Sequence, residues 1–297
     1  MMRADLHGQF LYRTARVIGC LPLAWLRALG AALGRLAYAL DSRETRVTRR
    51  NLALIGLAET PAARERRTRE LMRSAGQTLL ESVAVWTRPR RRVLALVQEV
   101  HGEALYAEAR ARGKGVLLAV PHYGNWELVI ECLAARGPFS LVYRVPESAG
   151  GDRFLHLARG GHNVRLVPAE ATAMRPLLRA LQNGETVGIT PDHQPKEGGG
   201  EFAPFYGHPA LTLSLIAKLA QRTGAPVLFA YTERCRGGFS LHFEADEPAL
   251  RDADLSVALA AMNRRVQAIA DRDFRQYQWT YKRFSIRPDR TDKSTYR

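Results

Sequence analysis

The sequence predicts an α/β fold: a mainly parallel sheet flanked by helices, with an N-terminal apolar or amphipathic helical segment. Three observations predict it. From residue 101 onward, short β-rich runs alternate with helical runs, the signature of strands joined by crossover helices. Hydrophobic residues make up 46% of the 297, which supplies a large core and argues against disorder. The opening stretch, to about residue 45, is apolar-helical with little β character.

Taken in order, "VIGCLPLAWL" (17–26) and "ALGAALG" (28–34) are apolar but are interrupted by Arg16, Arg27 and Arg35, and Pro22 breaks the run. A spanning helix needs about 20 mostly apolar residues. The segment is therefore expected to lie at a bilayer surface as an amphipathic or partly inserted helix. No signal-type cleavage site follows it. A helix over 42–56 places Arg43, Arg46, Arg49 and Arg50 along one face, a solvated face or one that touches lipid phosphates. Residues 61–86 form a further helix, and "TRPRRRV" (87–93) a basic link.

The alternating region then reads as strand 115–120, helix 125–135, strand 139–143, helix 151–160, strand 163–167, helix 172–183 and strand 186–190. After a long loop come helix 210–223, strands 226–231 and 239–243, and helix 253–272. The last two strands are expected to form an antiparallel hairpin at the sheet edge. The glycine-rich "KEGGGEF" (196–202) does not lead from a strand into a helix, so it is not a phosphate-binding loop.

The formal charge of +15 implies an anionic partner. No helix-turn-helix, RNP or zinc-finger pattern accompanies it, so nucleic acid is not expected. Cys20, Cys132 and Cys235 are widely spaced and odd in number, which argues against a disulfide framework or zinc knuckle and for a reducing compartment.

The chemistry concentrates in "AVPHYGNWELV" (119–129). "GVLLAV" is a buried parallel strand, and ligands in open α/β sheets bind beyond the carboxyl ends of strands. His122 falls there, Asn125 is the N-cap of the following helix, and Glu127 lies in its first turn. Inside one helix the two would diverge by about 140°, but with His122 in the turn they can converge. A carboxylate on one ring nitrogen would fix the tautomer of a histidine base. No serine or cysteine adjoins the pair, so the nucleophile is expected to be a substrate hydroxyl. The spacing recurs at His242 and Glu247, inside a strand and its following loop, where it is read as accidental.

Beyond this motif, "HYGNWE", "YRVPESAGGDRFLHLARG" (143–160), "GETVGITPDHQP" (184–195), "FAPFYGHPALT" (202–212) and "QYQWTYKRFSIRP" (276–288) follow one another along nearly the whole chain. Together they resemble the bacterial lipid A late acyltransferases, a group of membrane acyltransferases with H-x4-D/E motifs. The resemblance implies transfer of an acyl chain from acyl carrier protein, or acyl-CoA in some relatives, to a hydroxyl of a phosphorylated glycolipid, without a further cofactor or a metal. It implies His122 as general base supported by Glu127, Arg159 at the oxyanion or an anionic substrate group, and Asp192 orienting the site from the next strand end. Arg144, Tyr143, Asn125 and Gln194 are the substrate-binding candidates. Residues 1–45 would associate with the cytoplasmic face of the inner membrane, and 46–297 would form the catalytic domain. Two departures stand out. The N-terminal segment is less cleanly apolar than the usual anchor. The EGTR-like block of lysophosphatidate acyltransferases is absent, which disfavours ordinary glycerophospholipid synthesis; because relatives acylate other lipids, a lysophospholipid, an aminolipid or another glycolipid stands as the alternative acceptor to lipid A.

Overall fold

The structure, a computed structural model, describes residues 2–57, 60–161, 163–196, 198–289 and 296. The opening segment forms two helices, α1 (Met2–Gly19) and α2 (Leu23–Ala39), bent by 114° at the break. Pro22 cannot donate a helical N–H, so the chain turns there and α2 starts afresh. Arg88 pins the corner, donating from Nε to the Gly19 carbonyl (2.8 Å) and from Nη2 to that of Leu21 (2.5 Å). Among the described residues no single helix is long and apolar enough to cross a membrane.

Helices α3 (Arg43–Leu54) and α4 (Pro61–Thr87) follow as expected, capped by Ser42 and Thr60. The basic link is in part a short helix, α5 (Arg90–Leu94), with Arg90 paired to Glu131. Helix α2 meets α4 backbone to backbone: a Cβ on Gly30 would lie 2.3 Å from the Gly76 carbonyl oxygen, and one on Gly34 would lie 2.0 Å from that of Met72. The arginine face of α3 is partly ion-paired, Arg49 bridging Asp41 and Glu65.

The sheet contains β1 (Val97–His101), β2 (Val116–Ala119), β3 (Phe139–Tyr143), β4 (Val164–Pro168), β5 (Thr186–Ile189), β8 (Val227–Cys235) and β9 (Gly238–Ala245). Their order is β1-β9-β8-β2-β5-β3-β4, and every pairing is parallel except β8 with β9. The expected hairpin therefore exists but is not the edge, because β1 adds outside it. Alternation along β2 builds both cores: Leu117 and Ala119 face one side of the sheet, Val116 and Leu118 the other.

Helix α6 (Glu103–Ala111) and α7 (Trp126–Ala134) cover the second side. Helix α8 (Ala149–Arg159) packs against α1. Helices α9 (Met174–Gln182), α10 (Leu215–Thr223) and α11 (Leu255–Arg272) line the first side. The expected helix from 210 begins only at Leu215. Before it, β6 (Gly200–Phe205) and β7 (His208–Leu213) form a separate antiparallel hairpin. Tyr206 and Gly207, both at positive φ, make its two-residue turn.

The N-terminal helices are fastened to this sheet by a buried ion triad. Glu81, fully buried on α4, accepts from Arg27 (2.6 Å) and from Arg234 (2.8 and 2.9 Å). Arg27 also donates to the carbonyls of Cys235 and Gly238 in the β8–β9 turn.

Candidate active site

Two neighbouring strands end in the same way. Strand β2 runs on into Val120, Pro121, His122, and β5 into Thr190, Pro191, Asp192. Their parallel register pairs Ala119 with Ile189. His122 and Asp192 each lie three residues beyond that pair, at the same height above the sheet. The prolines end the ladder by removing a donor. Gly124 then lets the turn press against β8: a Cβ there would lie 1.7 Å from the Thr232 carbonyl oxygen, and its φ is +57°.

The result is a two-point contact. The His122 ring Nδ1 lies 2.8 Å from one Asp192 oxygen, and the His122 backbone N–H donates to the other at 2.8 Å. Both side chains are buried. Burial alone would raise the Asp192 carboxyl. The His122 ring, with its N–H and the backbone N–H, outweighs burial and holds it well below the usual carboxylate range. Beside an ionised Asp192 the proton sits on Nδ1, so in the neutral ring Nε2 is the nitrogen with the lone pair. That nitrogen makes no hydrogen bond among the described residues and is not sealed from solvent.

Glu127 does not take the place expected for it. It is buried in the first turn of α7, and both its oxygens receive Arg159, from Nε at 2.8 Å and Nη2 at 2.5 Å. This bidentate pair joins the start of α7 to the end of α8. Burial opposes the charge on Arg159, but the neighbouring Glu127 carboxylate prevails and raises the Arg159 pKa. The carboxylate on the histidine is thus Asp192. Glu127 is drawn to Arg159 instead of the ring, although Asn125 caps α7 as expected, through Leu128 N–H, and exchanges bonds with Thr232 on β8.

The remaining candidates divide. Tyr143, at the end of β3, is buried and donates to Asp152 on α8 (3.1 Å), so it anchors that helix. Arg144 follows it and is exposed. Gln194 is occupied by protein: its side-chain N–H donates to the Arg283 carbonyl, its side-chain oxygen accepts from Ser285, and its backbone N–H donates to the Tyr281 hydroxyl. Among the described residues no cluster of three or more His, Cys, Asp or Glu is placed to hold a metal.

Sequence reasoning weighed His193 only as a zinc mimic beside His208, set that aside, and gave no role to the C-terminal segment, 276–285. That segment clasps both strand-end turns. The Gln276 carbonyl accepts from Gly124, Gln278 N–H donates to the His122 carbonyl, and the Gln278 side chain meets His193 Nε2 at 3.0 Å. Burial, aided by neighbouring His122, pushes His193 down to about 3 from an ordinary 6.5. The unfolded chain therefore takes up a proton below pH 6.5 that the folded protein refuses until about pH 3. The contribution is complete above pH 6.5 and is lost as the pH falls through that window. Urea midpoints should fall between pH 7.5 and 4.5, and His193→Phe should lessen the fall; an equal fall in both proteins would contradict this assignment.

At the strand ends a histidine ring is thus held by a buried carboxylate, its second nitrogen without a hydrogen bond among the described residues. The comparisons identify the class as acyltransferase. The sequence model of the bacterial lipid A biosynthesis acyltransferase family matches residues 8–285, and the chain belongs to that family. It is 28% identical over 274 residues to the lipid A biosynthesis lauroyltransferase of Escherichia coli K12, covering 91% of this chain and 88% of the relative. It is 27% identical over 271 residues to the palmitoleoyltransferase of the same organism (90% and 87% covered). A lipid A biosynthesis acyltransferase of Haemophilus influenzae is 26% identical over 287 residues (95% and 91% covered). The chain is accordingly an acyltransferase of lipid A biosynthesis.

Proposed function

We propose that this enzyme transfers a fatty acyl chain from an acyl carrier protein thioester to a hydroxyl of a phosphorylated lipid A precursor, with His122 as general base held by Asp192. The observation that carries this is the bare Nε2 of His122, its other nitrogen fixed at 2.8 Å by an ionised carboxylate. The acceptor hydroxyl gives its proton to Nε2 as its oxygen attacks the thioester carbonyl. The tetrahedral intermediate then collapses, the carbon–sulfur bond breaks, and the departing thiolate takes the proton from the imidazolium. Such base assistance is worth roughly 10²–10⁴ in rate. Cys132 is no rival nucleophile, because burial pushes its thiol up to about 12. Two nitrogens of Arg159 are engaged by Glu127, leaving Nη1 for an anionic substrate group. Exposed Arg144 is assigned to acceptor phosphate. The charge of +15 favours encounter with an acidic carrier and a phosphorylated lipid alike.

Purified protein in mild detergent, offered radiolabelled acyl carrier protein thioesters and a phosphorylated lipid A precursor, should yield labelled product. His122→Ala should lower the rate by about 10³ or more. No transfer by folded wild-type protein across several chain lengths would contradict the proposal. Transfer to a lysophospholipid, aminolipid or other glycolipid instead would keep the chemistry and move the acceptor.

The reading includes peripheral attachment at the cytoplasmic face of the inner membrane. Trp25, Leu29, Leu33 and Leu36 lie within about 80° of arc on α2 and are all exposed, while the opposite side of the helix is buried on α4. Leu6, Phe10 and Val17 form a similar exposed stripe on α1. Two short helices meeting at 114° with outward apolar stripes suit insertion into one leaflet. Leu33→Glu with Leu36→Glu should lower sedimentation with anionic vesicles by about tenfold or more; unchanged sedimentation would place the contact elsewhere.

A further inference from the structure

His193 has no part in the chemistry above, yet its ring lies face to face with the His122 ring, centroids 3.7 Å apart and planes 5° from parallel. Its other face stacks on Tyr281 at 3.9 Å and 16°. Trp126 meets the His122 ring edge-on at 4.8 Å. The stack is fixed from both ends. Gln278 holds the edge of His193 through Nε2 and the carbonyl of His122 through its own backbone N–H. Tyr281 accepts the Gln194 N–H at 2.9 Å, one residue past His193.

A histidine base needs two things besides its carboxylate. Its ring plane must not swing, since a misplaced lone pair loses the reacting proton. The positive ring formed on proton uptake must be tolerated where little water reaches it. A neutral aromatic face answers both, because its quadrupole is negative above the ring and attracts a cation. A second positive ring in that place would do the opposite.

We infer that His193 is a positioning residue for His122: as a neutral ring clamped between His122 and Tyr281, it fixes the plane of the base and stabilises the imidazolium that forms on it. The inference rests on the reading of His122 as the base. The titratable and charged groups facing the stack are Asp192 from the turn after β5, and Tyr277, Tyr281 and Arg283 from the C-terminal segment. Burial keeps the two tyrosines neutral, raising both phenols. Arg283, itself buried, is held by the Leu211 carbonyl, Thr212 and Asn263. Its positive charge adds to the reasons for His193 to remain uncharged.

The experiment combines transfer kinetics with NMR titration of isotope-labelled histidine rings. His193→Ala should lower kcat about 10- to 30-fold with KM changed less than about twofold, and should lower the His122 titration midpoint by about 0.5–1 pH unit. His193→Phe, which restores an aromatic face without a titratable group, should recover kcat to within about threefold and most of the shift. Tyr281→Leu removes the outer ring and should move the His122 midpoint in the same direction, which keeps a test available if His193→Ala folds poorly. No movement of the midpoint in either variant, or His193→Phe as impaired as His193→Ala, would overturn the inference. The two readings separate: full transfer by His122→Ala would remove His122 as the base, whereas the midpoint reports the stack whether or not transfer occurs.

Discussion

Asp192→Asn should lower kcat by about 10²–10⁴ while leaving the fold intact. The amide is nearly isosteric and can still accept the His122 backbone N–H that Asp192 now receives at 2.8 Å. What it cannot do is hold a proton on Nδ1 with the force of an ionised carboxylate, or balance the imidazolium charge. In that same orientation its NH2 faces Nδ1, donates to it and places the proton on Nε2, the nitrogen required bare. KM for the acceptor should change little, since Asp192 is buried and makes no surface. Kinetics of transfer, with a thermal melt to show the fold, check this. A loss confined to KM, or none at all, would contradict it.

Arg159→Ala should be the most destabilising single change at the site, by about 3 kcal/mol or more. It strips the bidentate partner from Glu127, whose side chain is only 1% exposed, and leaves a carboxylate with no donor in a dry helix–helix contact. Arg159→Lys should recover only part, because a single ammonium cannot span both oxygens. The double change Glu127→Leu with Arg159→Met should be far milder than Arg159→Ala alone, since it removes the charge along with its partner. Urea unfolding of the three proteins measures it. A double variant as unstable as Arg159→Ala would show that the pair's worth lies in packing and not in charge compensation.

These two expectations show where the sequence was legible and where it misled. The buried strands were readable as apolar runs between helices, and "GVLLAV", "FSLVY", "TVGIT" and "PVLFAY" all appear within a few residues of their places. Strand β1 was not, because "VQEVH" lies on the exposed sheet edge and carries almost no apolar pattern. The β6–β7 hairpin was masked because "ALTLSLIAKLAQ" stays mostly apolar across the boundary, so the alternation of β7 merges with the start of α10. The Tyr206–Gly207 turn was the signal that separates them. Pro22 announced the break between α1 and α2, although nothing in the sequence gives the 114° that follows.

At the site, closeness in sequence was the wrong guide. Glu127 lies five residues from His122 and Asp192 seventy, yet Asp192 holds the ring. The informative feature was a pairing of strand ends, "AVPH" with "ITPD", which parallel register brings level. The C-terminal signature was visible as a block of aromatics, but its role as a clasp across both turns depends on backbone contacts to Gly124 and His122, which no side-chain pattern reveals.

The most direct measurement is the nitrogen-15 spectrum of the His122 ring in the neutral protein, assigned by comparison with His122→Gln. A proton on Nδ1 and none on Nε2, with Asp192→Asn losing that preference, is the predicted result. A proton on Nε2 in the wild-type protein would contradict the account, because the nitrogen meant to receive the acceptor's proton would already be filled.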